Sequence, residues 1–110
     1  MHRVSDGGKQ SRAERKRLEE IARIKGKLIV AEIKLTDIDE KYKLPRGTAG
    51  NAIHEPHVAG ERAIAAALNT RPHLLWFSRY HSSGKRLSPQ PSDNYRNGRR
   101  SETETSRVAA

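Results

Sequence analysis

Cysteine is absent from the 110-residue chain, which excludes disulfide bonds and thiolate metal sites and permits a reducing cytoplasm. No apolar run approaches the ~20 residues that a membrane-spanning helix requires, and the N-terminal sequence lacks the apolar centre of a signal peptide. The length allows one small domain with tails, because a second core would need about 50 more residues. We therefore expect a single cytoplasmic domain and exclude most multi-domain enzymes.

Positive charge dominates the composition. The sequence has 22 Lys and Arg against 13 Asp and Glu, which gives a net charge of +9 and a pI near 10.4. Such a balance favours a polyanionic partner, with nucleic acid as the first candidate and an acidic membrane surface as the second.

Apolar residues are concentrated in the middle of the chain. They occupy 29 of 64 positions between residues 18 and 81, but 3 of 17 before and 5 of 29 after. Only the middle can offset the ~1 to 2 kcal/mol per residue that ordering a backbone costs. We therefore predict a mobile basic arm over 1–12, a folded domain over 13–81 and a disordered basic tail over 82–110.

The folded part is predicted to be all-α, with five short helices and no sheet. The first, over about 13–31, is amphipathic, and its apolar residues recur at helical spacing. These are Leu18, Ile21, Ile24, Leu28 and Ala31. A fourth helix is expected from Glu61 to Asn69, and a short last helix begins at Thr70.

The second and third helices carry the most specific local signals. Thr36 is the expected N-cap of a helix over about 36–42, whose acidic first turn suits the helix dipole. Pro45 is the expected first residue of a third helix over about 45–53, because its missing N–H would have no partner there. The third helix would bury three apolar residues at positions i, i+3 and i+4, which are Ala49, Ala52 and Ile53.

Two short helices joined by about three residues form the pattern of a helix-turn-helix, whose second helix enters the major groove of DNA. The outer face of the third helix would then consist of small and polar residues. Arg46 can bind guanine, Asn51 can pair with adenine, and Thr48 can contact a thymine methyl or a phosphate. Gly47 and Gly50 would let the backbone approach phosphates.

Three pieces of the chain match a known family at matching distances. They are Thr48-Ala49-Gly50-Asn51-Ala52-Ile53, Gly60-Glu61 followed by Ile64-Ala65 and Ala67-Leu68, and Pro72 followed by Trp76-Phe77-Ser78-Arg79-Tyr80-His81. On these pieces, residues 21–81 resemble the Ner family of DNA-binding regulators from Mu-like phages and their bacterial relatives. Phe77 departs from the family pattern, which has proline there. Lys43 stands where such turns usually have glycine.

The resemblance implies a lambda-repressor-like all-α fold, sequence-specific operator binding and repression of early phage or prophage promoters. We expect Lys43 and Arg71 to contact the DNA backbone, together with three basic residues of the first helix, which are Arg15, Lys16 and Arg17. Because one helix reads only a few base pairs, we expect two copies of the bacterial, nucleoid-associated protein on adjacent half-sites.

Other chemistry has little support in the sequence. His54 and His57 are three residues apart but lack a carboxylate or thiol at a spacing that suits zinc, so no metal and no cofactor is expected. No nucleophile, base and orienting residue can be placed in one pocket, so no enzymatic activity is expected. Trp76 is expected in the core, whereas Arg79 is equally compatible with a phosphate contact and with a solvated charge.

The sequence also permits two hypotheses that assign the protein to other functional classes. A basic RNA- or ribosome-associated protein would use the same charge without reading sequence. A protein-interaction adaptor would instead use one side of the first helix, formed by Ile29, Val30 and Ile33, as a dimer face.

Overall fold

The computed structural model describes residues 12–95, and within this range it is all-α, as predicted. Five α-helices follow one another: α1 (Arg12–Ala31), α2 (Leu35–Lys41), α3 (Thr48–His54), α4 (Val58–Ala67) and α5 (Pro72–Leu75). Two 3-10 turns follow at Phe77–Arg79 and Ser92–Asn94. The only β-type pairing among the described residues is an isolated antiparallel bridge between Tyr80 and Arg86.

The core lies where α1, α3, α4 and α5 meet, with one residue of α2. It contains twelve buried residues: Ile21, Ile24, Leu28, Ile38, Ala49, Ala52, Ile53, Ala63, Ile64, Ala65, Leu75 and Trp76. The expected core role of Trp76 and the buried face of α3 are therefore confirmed. No helix within residues 12–95 combines the length and the apolar character needed to cross a bilayer.

Helices α1, α2 and α4 end in the same way, with a non-glycine residue in the left-handed region. Glu32, Lys43 and Asn69 have φ values of 57°, 57° and 62°. In each case the N–H of the next residue donates a hydrogen bond to the carbonyl five residues earlier in the chain. For example, Leu44 N–H donates to the Asp39 carbonyl at 2.8 Å. This is the Schellman motif, which usually has glycine at this position. Lys43 therefore adopts the left-handed conformation for which such turns usually have glycine.

The predicted start of α2 was one residue late. The helix begins at Leu35 with Lys34 as its N-cap, and no side chain caps this end. Thr36 is therefore an exposed residue of the first turn rather than the N-cap. The Lys34 carbonyl already accepts from the N–H groups of Asp37 and Ile38, which fixes the earlier start.

The predicted start of α3 was wrong by three residues. Gly47 is the N-cap and has φ +92°, so Pro45 and Arg46 lie in the turn rather than in the helix. A left-handed residue cannot continue a right-handed helix, and glycine adopts this φ without strain. The turn is closed by Thr48 N–H donating to the Pro45 carbonyl at 3.0 Å.

Helix α4 begins at Val58 rather than at Glu61, because His57 caps it. The Nδ1 atom of His57 accepts from Gly60 N–H at 3.0 Å, and His57 N–H donates to the Glu61 carboxylate at 2.7 Å. This reciprocal pair satisfies N–H groups that would otherwise have no partner at the start of the helix.

The packed part of the chain extends past His81, where the sequence placed its end. Gln90, Asn94 and Tyr95 are all buried. Gln90 donates to the carbonyls of Arg79 and Leu87 at 3.0 and 2.8 Å, and Asn94 donates to Gln90 at 2.9 Å. Side-chain amides attach this segment to the rest of the domain. The number of apolar residues in the sequence therefore did not predict that it is packed. The predicted arm up to residue 11 and the tail from residue 96 lie outside the described residues.

Helices α3 and α4 cross in close contact at Gly60. A Cβ atom there would collide with the Cβ of Ala52 and would lie 3.3 Å from the Thr48 carbonyl oxygen. Glycine is therefore required by the crossing of the two helices and not by its own φ.

We predict that Gly60→Ala lowers the free energy of unfolding by about 1 to 3 kcal/mol, because the added methyl group overpacks the crossing. Gly26→Ala in α1 is the matched control, since a Cβ there meets nothing within 4 Å. It should raise stability by about 0.5 to 1 kcal/mol. Urea unfolding followed by circular dichroism measures both, and an unchanged midpoint for Gly60→Ala would contradict the crossing.

Candidate nucleic-acid interface

Helix α3 presents a small polar face on the side opposite its buried one. Asn51 is exposed and Thr48 is half-buried, and the two are one helical turn apart. Arg46 is exposed in the turn that leads into α3. Of the three residues predicted to read bases, Arg46 and Asn51 are therefore exposed and Thr48 is partly exposed.

An acidic residue of α2 holds the start of α3. The Asp39 carboxylate is buried at 4% exposure and accepts from Gly47 N–H and from Ala49 N–H, each at 2.8 Å. The sequence indicated only that acidic residues suit the first turn of α2. Asp39 is eight and ten residues from its partners, so no local pattern could have assigned it this contact.

Three side chains from distant elements hold the other end of α3. Arg79 donates to the carbonyls of Ala52 at 2.7 Å and Ile53 at 3.1 Å. Trp76 Nε1 donates to the Ile53 carbonyl at 3.4 Å, and Arg17 donates to the His54 carbonyl at 3.5 Å. A carboxylate at the N-terminus and guanidinium groups at the C-terminus both complement the helix dipole.

Arg79 is neither a phosphate contact nor a solvated charge, since its side chain is 2% exposed. It forms an ion pair with Glu61 at 3.1 Å, and its guanidinium group lies 4.8 Å from the centre of the Trp76 ring. Burial lowers the pKa of Arg79 to about 10 despite the opposing effect of Glu61, which leaves the side chain charged at neutral pH.

Glu61 is fully buried and connects the segments around it. Besides Arg79 and His57, it accepts from Tyr80 Oη at 2.7 Å and from Arg86 at 3.1 Å. Burial acts to raise the pKa of Glu61, but Arg86, Arg79, Tyr80 and His57 together outweigh it, so the pKa lies below its usual value. Burial and the Glu61 carboxylate raise the pKa of Tyr80 to about 12.

The predicted backbone-contacting residues divide into two groups. Lys43, Arg71, Arg15 and Lys16 are exposed, and Arg71 is the N-cap of α5. Arg17 is half-buried against α3, as described above.

The two glycines of the predicted interface also differ. Gly47 is exposed, but its N–H already donates to Asp39. Gly50 is half-buried, and a Cβ there would lie 3.9 Å from Leu35 Cδ1, so this position faces α2 rather than outward.

No group of three or more His, Cys, Asp or Glu side chains within residues 12–95 is arranged to hold a metal ion. The Nδ1 atom of His57 is engaged by Gly60 N–H at the start of α4. This cap is a structural role that the spacing of His54 and His57 did not reveal.

Two short helices joined by residues 42–47, a longer connection than the roughly three residues expected, with a buried α3 face and an exposed polar one, fit a helix-turn-helix protein. A family model described as winged helix-turn-helix DNA-binding matches residues 20–91. The chain belongs to this family, and the predicted helix-turn-helix is confirmed. Neither the comparison with curated proteins nor that with solved structures gives a match.

We predict that Glu61→Gln lowers the free energy of unfolding by about 3 kcal/mol, because it leaves the buried Arg79 charge without its partner. The pKa of Glu61 is lowered from its ordinary value of 4.5. The stability that Glu61 contributes is therefore complete above pH 4.5 and is lost as the pH falls through the lowered pKa. Urea unfolding between pH 7 and pH 3 measures both effects.

The exposed Glu19 supplies the control, and Glu19→Gln should leave the unfolding curve at pH 7 almost unchanged. If Glu61→Gln retained the acid-dependent loss of the unmodified protein in full, that loss would have to come from other carboxylates.

Proposed function

We propose that this protein is a sequence-specific double-stranded DNA-binding transcriptional regulator that places α3 in the major groove. The observation that carries the proposal is the exposed polar edge of α3, which includes Asn51 and is fixed at both helix ends by buried side chains. A rigid helix with a slender outer face suits the major groove.

Base reading is assigned to three residues. Arg46 can donate to guanine O6 and N7, and Asn51 can both donate to and accept from adenine. Thr48 lies between them and suits a thymine methyl group or a phosphate oxygen. One bidentate contact of this kind discriminates by about 1 to 3 kcal/mol against the wrong base.

Phosphate contacts are assigned to the exposed basic residues around α3. Lys43 precedes α3, and Arg71 is the N-cap of α5. Arg15 and Lys16 lie near the start of α1. Each phosphate that they neutralise releases condensed counterions, which gives affinity for any sequence.

Three earlier phosphate assignments change as a consequence of the contacts described above. Gly47 supplies a compact backbone next to DNA, but its N–H is not a free donor. Gly50 contributes to the packing of α3 against α2 near Leu35 and not to a phosphate contact. Arg17 affects DNA binding indirectly, because it donates to the His54 carbonyl and so holds the end of α3.

The regulator is proposed to resemble the Ner proteins and to repress early promoters of phage or prophage origin on bacterial nucleoid DNA. Support comes from the quoted family pieces, which meet at one place in the structure: Glu61 contacts Arg79 and Tyr80, while Trp76 and Arg79 reach α3. Two copies on adjacent half-sites would supply the affinity that one short helix lacks. Ile29 and Val30, 75% and 84% exposed, remain available for contact between copies, whereas Ile33 packs against the core.

Selecting bound duplexes from a random pool identifies the preferred site. On that site we predict that Asn51→Ala loses about 1 to 3 kcal/mol and relaxes the preference at one base pair. Lys16→Ala should weaken binding to all duplexes alike. It should also reduce, by about one unit, the slope of the logarithm of the binding constant against the logarithm of the salt concentration. Fluorescence titrations at several salt concentrations measure both variants.

Competition with structured RNA tests the other reading of the basic charge. The preferred duplex should outcompete both random duplex and structured RNA. If structured RNA won, or if Asn51→Ala weakened every duplex by the same factor, sequence reading by α3 would be refuted.

A further inference from the structure

We propose that Asp39 is a positioning residue that determines how well this protein discriminates between DNA sequences, although it contacts no base itself. The proposal rests on the proposed function, in which α3 reads DNA. It concerns a side chain of α2 that belongs to neither the base-reading nor the phosphate-contacting set.

The carboxylate uses both of its oxygen atoms on α3. Oδ2 accepts from Gly47 N–H and Oδ1 accepts from Ala49 N–H, both at 2.8 Å. Two anchored amides, two residues apart, fix both where the helix starts and how it is rotated about its axis. Thr48 lies between the anchored residues, and Arg46 immediately precedes them.

Besides Asp39, this end of α3 is held by the burial of Ala49 in the core and by the bond from Thr48 N–H to the Pro45 carbonyl, neither of which fixes the Gly47 amide. Gly47 has φ +92° and carries no Cβ atom, so its backbone has more freedom than that of any other residue type. Helix α3 has seven residues, fewer than a helix needs to be stable by itself in water. A base contact also weakens steeply when its donor is displaced or misaligned.

Charge and positioning make opposite predictions for the loss of Asp39. A carboxylate near DNA repels phosphates, so its removal by itself should strengthen binding to every sequence. Loss of the anchor should instead weaken binding only where base contacts matter. The ratio between preferred and random duplex therefore separates the two effects.

The test compares three variants of the full chain: Asp39→Ala, Asp39→Asn and Glu40→Ala. Glu40 is the matched control, because it is an exposed carboxylate on the same helix and its removal changes the net charge equally. Asp39→Ala should reduce affinity for the preferred duplex by about tenfold and leave affinity for random duplex unchanged or higher. Asp39→Asn should fall between, since its amide oxygen can accept one of the two N–H groups. Glu40→Ala should keep the ratio of the unmodified protein.

The hydrogen-exchange rates of backbone amides provide a second measurement, which the loss of a charge by itself would not change. The amides of Gly47 and Ala49 should exchange slowly in the unmodified protein and quickly in Asp39→Ala. The indole signal of Trp76, which is buried in the core, should be retained in the variant and thus report that the domain is still folded.

Two results would overturn the proposal. One is an unchanged ratio between the duplexes in Asp39→Ala with the core intact, and the other is fast exchange of both amides in the unmodified protein. If Asp39→Ala does not fold, the duplex ratio of Asp39→Asn decides in its place. Failure of the proposed function looks different, because the unmodified protein would then prefer no duplex at all.

Discussion

The arrangement of this domain depends on the buried ion pair between Glu61 and Arg79. Glu61 brings together the start of α4, the 3-10 turn that contains Arg79, and Arg86 of the C-terminal segment. Arg79 is thereby held where it can donate to the carbonyls of Ala52 and Ile53. A buried charge is costly unless it is paired and its hydrogen bonds are satisfied, and here both partners meet that condition. The C-terminal end of α3 is therefore positioned by this buried network.

Charges of opposite sign act at the two ends of α3. Asp39 accepts from amides at its start, while Arg79 and Arg17 donate to carbonyls at its end. These contacts satisfy backbone groups that a short helix leaves without internal partners. They also explain how a helix with a glycine in its interior can hold a defined polar edge toward solvent. Rigidity therefore comes from neighbouring elements rather than from the intrinsic helix propensity of α3.

Prediction from sequence succeeded where one face of a helix carried the signal. The apolar spacing in α1 gave its extent to within one residue, and the i, i+3, i+4 pattern identified the buried side of α3. Prediction failed at the starts of α3 and α4, where a distant carboxylate and a histidine nitrogen select the first residue. It also misjudged Arg79, since a residue's sequence neighbours do not show whether its charge will be neutralised in the core.

The sequence alone determined the helical class, the buried face of α3 and the polar residues left outside, because these follow from local periodicity and from the chemistry of each side chain. Tertiary structure decided the contacts of Asp39 at the start of α3, the burial of Arg79 and the packing of the segment up to Tyr95. The reason is that each of these depends on a polar group finding its partner many residues away. Such pairings exist only once the hydrophobic core has brought the helices together.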